Sequence, residues 1–91
     1  MLFPISHYIE ERNGGLYVAR SRVSLDSVVI RFKEGASPER IVQSFSTLIL
    51  SQVYGAIAYY LDHQVAVDNY LLKRKQQWVE LERRGASLPR Q

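Results

Sequence analysis

The chain has 91 residues, no cysteine, 12 Lys/Arg against 9 Asp/Glu and a formal net charge of +3. That length suits one small domain, and the lack of cysteine excludes a disulfide framework and any Cys-based zinc or thiol site. Met1-Leu2-Phe3-Pro4-Ile5-Ser6-His7 lacks the basic-then-apolar order of a secretion signal, and no run of about eighteen apolar residues exists, so a soluble cytoplasmic protein with no membrane partner is expected.

Tyr8 to Arg12 and Leu16 to Ala19 are short and rich in aromatic and β-branched residues. They flank Asn13-Gly14-Gly15, and Asn-Gly between such runs is a strong hairpin signal. A lone hairpin is marginal in water, so it needs a helical layer beneath it or a second ribbon from another subunit. Ser24 is placed to cap a helix over Leu25 to Glu34, with Asp26 as first-turn charge and Leu25, Val28, Val29 and Phe32 on its core face.

Gly35-Ala36-Ser37-Pro38-Glu39-Arg40 then stops one helix and starts another. Gly35 suits the left-handed residue past a helix end, Ser37 the N-cap, and Pro38 the first helical position. A second helix is expected from Pro38 to Phe45 and a third from near Thr47. Three short helices in about forty residues is the layout of a helix-turn-helix domain.

From Leu48 the pattern stays helical. Val53, Ile57, Tyr60 and Leu61 make one apolar stripe, and Gly55, Ala56 and Ala58 keep that helix slim. Asp62-His63 is a break, with Asp62 as cap of a further helix. Val67, Leu71, Trp78 and Leu81 lie close to a heptad seam with Arg74 in the missing position. The expected organisation is a β-ribbon over 1–23, a helix-turn-helix core over 24–61, a C-terminal amphipathic helix over 62–85 and a tail over 86–91. The fold class is mostly α, with a hairpin ahead of a three-helix bundle.

No catalytic constellation stands out. His7 and His63 are far apart, and Glu10/Glu11 and Glu80/Glu82 read as solvated charge, so no enzyme, metal or cofactor is expected. For DNA, the residues at the start of the third helix, Thr47, Ser51, Gln52 and Tyr54, reach base edges in such a fold, with Arg20, Arg22, Arg31, Lys33 and Arg40 as phosphate contacts. Against this, residues 48–61 hold no Lys or Arg. Tyr54, Gly55, Ala58 and Tyr59 form either a homodimer surface or an intrachain core.

The order of Arg20-Ser21-Arg22-Val23, Glu34-Gly35-Ala36-Ser37-Pro38-Glu39-Arg40-Ile41-Val42, Gln52-Val53-Tyr54-Gly55-Ala56-Ile57-Ala58-Tyr59-Tyr60-Leu61 and Asp68-Asn69-Tyr70-Leu71 resembles the domain-of-unknown-function 433 family, over roughly residues 7–72. That resemblance implies a homeodomain-like fold, often dimeric, in a VapB-type antitoxin. It further implies a PIN-like ribonuclease toxin as partner, bound through the C-terminal region, and repression of the operon by DNA binding. On that basis Arg74, Lys75, Trp78, Leu81, Arg83 and Arg84 are the toxin-contact candidates; the competing reading is a solvated helix with Trp78 packed on its own domain. A DNA-binding regulator without a toxin and a dimeric structural module are the rival functions. Two departures stand out: the family pattern has Gly-Thr-Arg where Arg20-Ser21-Arg22 stands, and Ser or Thr where Ile49 stands. The second removes a cap worth about 1 kcal/mol, which Ser46 or Thr47 would replace by starting the helix earlier.

Overall fold

A computed structural model describes residues 6–84. Strands β1 (Ile9–Arg12) and β2 (Gly15–Val18) pair antiparallel, with Ile9 opposite Val18 and Arg12 opposite Gly15. That register leaves a two-residue turn, Asn13-Gly14, with φ of 51° and 80°. Two positive φ values give the mirror-image turn whose twist matches the strands. Arg12 lies over the Tyr17 ring at 4.4 Å and donates to the Ser21 carbonyl at 2.6 Å.

Four helices follow: α1 (Leu25–Lys33), α2 (Pro38–Ser44), α3 (Leu50–Asp62) and α4 (Gln64–Arg83). The two expected caps form. Ser24 accepts from the Ser27 N–H and Ser37 from the Arg40 N–H. Between α1 and α2 the Gly35 N–H reaches the Phe32 carbonyl and the Ala36 N–H reaches Arg31, both within 3.1 Å. This pair of hydrogen bonds is the Schellman ending, and Gly35 takes φ of 98° to make it.

The hairpin rests on a helical layer of its own chain. Ile9, Leu16 and Val18 enter one core with Leu25, Val28, Val29, Ile41, Val53, Ala56, Tyr60 and Val67. Tyr70 of α4 takes the Leu16 N–H on its hydroxyl at 2.8 Å and so ties hairpin to helix. Arg20, in the turn after β2, sits at φ of 61°. An L-residue there strains its Cβ against the backbone by about 1–2 kcal/mol, and glycine does not. Arg20→Gly is therefore expected to stabilise the fold by about 0.5–1 kcal/mol, net of the freer unfolded chain, read as a rise of a few degrees in Tm.

Three local expectations are corrected. The third helix does not start early: Ser46 and Thr47 stay outside it, and Ile49, which has no acceptor, is its N-cap. The Gln52 carbonyl oxygen instead accepts the Ile49 N–H at 2.8 Å, the reciprocal half of a capping box. Asp62 ends α3 rather than capping α4, whose N-cap is His63 with no side-chain bond. Leu61 is not in the buried stripe; it is 51% exposed, because Val53, Ala56, Ile57 and Tyr60 already fill the arc of α3 that meets the core.

Candidate functional site

The first turns of α4 are anchored and the later ones are not. Val67 is fully buried. Asp68 accepts from Lys33 at 2.8 Å and from the Tyr60 hydroxyl at 2.9 Å. These bonds hold the Asp68 carboxyl below its ordinary pKa, chiefly through Lys33, and the same bond raises Lys33. Arg74 reaches across to Asp26 of α1 at 3.0 Å. Burial, ahead of other causes, pushes the Tyr70 hydroxyl up.

Past Arg74 the helix leaves the domain. Among the described residues, Arg83 and Arg84 pair with Glu80 of the same helix, at 2.9 and 3.3 Å. Such exposed pairs are worth little. Trp78 is 47% exposed and makes no ring contact among the described residues. Leu72, Val79 and Leu81 are also exposed. Between α1 and α4 runs an open groove of about 810 Å³. Ile30, Leu71, Leu72, Trp78 and Leu81 supply its apolar wall, and Lys33, Arg74 and Lys75 its cations. Asp26 also lines it, with Oδ1 buried and without a hydrogen-bond partner among the described residues. Sequence periodicity marked Trp78, Leu81 and Arg74, and charge marked Lys75; that Ile30, Lys33 and Asp26 share the groove was not legible, because α1 meets α4 only in the tertiary fold.

The residues expected to read DNA do not gather on one surface of α3. Thr47 and Ser51 are exposed, as are Arg20, Arg22 and Arg40. Gln52 is 7% exposed, with one end of its amide on Ile49 and the other donating to the Ala19 carbonyl at 2.9 Å. It is a structural tie between α3 and the hairpin, not a base-edge reader. What the fold does bring together is Arg22 and Arg12, which line a shallow hollow of the hairpin with Asn13 and Tyr17. Arg12 escaped the sequence reading because only strand pairing sets it beside Tyr17.

The expected dimer set also divides. Tyr54 and Ala58 are exposed. Tyr54 donates its hydroxyl to Glu39 at 3.0 Å, which raises the phenol. Gly55 is covered by its own chain: a Cβ built there would stand 2.2 Å from Cγ of Tyr8. Tyr59 is 6% exposed and packs on His63 at 4.7 Å between ring centres. Gly55 and Tyr59 are thus intrachain contacts, since the hairpin folds back onto that side of α3.

Among the described residues, no group of three His, Asp or Glu stands together as a metal site, and no helix is long and apolar enough to cross a membrane. Residues 6–60 match the family model described as Protein of unknown function (DUF433), more than half of the chain. The chain belongs to the DUF433 family. Curated proteins and solved structures gave no match. The DUF433 match takes in the hairpin, α1, α2 and most of α3, and it stops at residue 60. The groove therefore pairs α1 of the DUF433 segment with a helix beyond it.

Proposed function

We propose that this chain is an antitoxin that neutralises a PIN-like ribonuclease by laying the second half of α4 on it. The observation that carries the reading is the helix itself. About two and a half turns lie past Arg74, with Trp78, Val79 and Leu81 exposed among Lys75, Arg83 and Arg84. An isolated amphipathic helix gains nothing from exposing tryptophan and leucine; a partner groove that covers them does. Trp78 is the apolar anchor, with Leu81 one turn on. Lys75, Arg83 and Arg84 face the carboxylates with which a PIN-type nuclease holds its metal. The bound helix blocks RNA from that cleft.

The test is co-expression of the tagged chain with its neighbouring reading frame, then sizing. The expected result is a stable complex whose partner cuts RNA only once this chain is removed. A partner that never co-purifies counts against the reading.

A second reading, a DNA-binding regulator, is favoured by one observation: Arg12 and Arg22 share a face of the hairpin. Phosphate contact there predicts operator affinity that falls with salt and a shallower slope for Arg22→Ala.

A further inference from the structure

α1 supplies the second wall of the groove that runs beside α4. Asp26 pairs with Arg74 at 3.0 Å and Lys33 with Asp68 at 2.8 Å, so the two helices lie antiparallel, bridged at two points about 10 Å apart along α1. Ile30 stands between those bridges and is still 50% exposed. On the α4 wall Leu72, Trp78 and Leu81 are exposed as well. Each bridge matches one cation with one carboxylate. Lys75, at the rim, makes no ion pair among the described residues, which leaves the groove one positive charge in excess.

We propose that the partner docks in this groove, against α1 as well as α4, and that the docking element is an acidic amphipathic helix of about three turns; this rests on the reading above that α4 takes a ribonuclease. The length follows from the α4 wall. Leu71, Lys75, Trp78 and Leu81 recur at helical spacing over about 15 Å, which three turns of a third helix match. The helical form follows from the walls, which are side chains of two helices. A lone extended segment would leave its own N–H and C=O groups unpaired between them, whereas a helix satisfies those groups internally. The charge follows from Lys75, whose ammonium needs a carboxylate on the flank of the incoming helix. The apolar stripe of that helix covers Ile30 and Trp78 together. A partner that touched α4 alone would leave Ile30 in water. Ile30 lies inside residues 6–60, so the DUF433 segment takes part in recognition directly as well as anchoring α4.

The chain has no cysteine, so Ile30→Cys and Gln76→Cys each introduce a single thiol. Gln76 is exposed past Arg74 and does not line the groove, which makes it the control on α4. Each variant is co-purified with the product of the neighbouring reading frame. Alkylation by iodoacetamide is then timed in the free chain and in the complex, read by the mass of this chain. The thiol at position 30 is expected to react at least about tenfold more slowly in the complex, and the thiol at position 76 within about threefold of its free rate. Ile30→Glu is expected to weaken the complex at least about tenfold with helical circular dichroism unchanged. Lys75→Glu is expected to slow association about tenfold and to flatten its fall with salt. A thiol at position 30 as reactive in the complex as in the free chain, protection at position 76 alone, an Ile30→Glu chain that binds as tightly as the parent, or faster association of Lys75→Glu would each overturn the groove and leave the antitoxin reading standing. Failure of any complex to form would overturn both.

Discussion

Trp78→Ala is expected to lower the affinity for the proposed ribonuclease partner by about 30-fold or more, near 2 kcal/mol, while Tm stays within about a degree of the parent. The separation follows from where the ring sits. Trp78 lies on the part of α4 that projects beyond Arg74 and is half exposed, so the fold loses little when it is cut back. A partner that desolvates an indole loses its largest apolar contact. Titration of the partner and a thermal melt of the free chain measure the two effects. A fall in Tm with unchanged affinity would place the ring in its own domain's packing and sink the anchor role. Lys75→Glu makes the contrasting control: Lys75 is exposed at the groove rim, so its effect belongs mainly to the association rate and its salt dependence.

Gly55→Ala is expected to destabilise the fold by about 1–3 kcal/mol, although alanine is the better helix former by about 1 kcal/mol. The new methyl would stand 2.2 Å from Cγ and 2.5 Å from both Cδ atoms of Tyr8. Those atoms are at the root of the ring, so rotating the hydroxyl end away does not relieve the clash. The backbone of Tyr8 is held too: its N–H donates to the Ser6 hydroxyl at 3.0 Å and its carbonyl accepts from the Ala19 N–H at 2.7 Å. The hairpin must therefore lift from α3. A thermal melt is expected to fall by about 4–8 °C per kcal/mol in a domain this small. In a double-mutant cycle, Tyr8→Ala removes the obstacle, and the alanine at position 55 then costs nothing or stabilises. A single variant as stable as the parent would show that Tyr8 does not lie against Gly55.

These two residues also show where sequence reasoning stopped. Gly55 was legible as a place where a neighbour approaches closely, because a glycine in a helix otherwise has little to recommend it. Whether that neighbour was a second subunit or the same chain was not legible. The answer depends on the hairpin folding over α3, a contact between residues far apart in sequence. Trp78 was legible as part of a seam, but a seam has the same spacing whether its partner is present or missing. Gln52 was misread for a related reason. A polar residue early in a helix looks exposed until the Ile49 cap and the Ala19 carbonyl are seen to engage both ends of its amide.

Local chemistry, then, was determined by sequence alone: the Asn13-Gly14 turn, the Ser24 and Ser37 caps, the Gly35 stop with Pro38 after it, and the helical spacing of the core. Each rests on interactions within a few residues, where φ preference and side-chain reach leave few choices. Membership of DUF433 is carried by the same local order. Tertiary structure decided the rest. It set which arc of α3 is buried, put Ile30 of α1 and Trp78 of α4 on the walls of one groove, and put Arg12 and Arg22 on one hollow of the hairpin. Burial is a property of what lies opposite a side chain, and periodicity reports only the side of the helix it occupies.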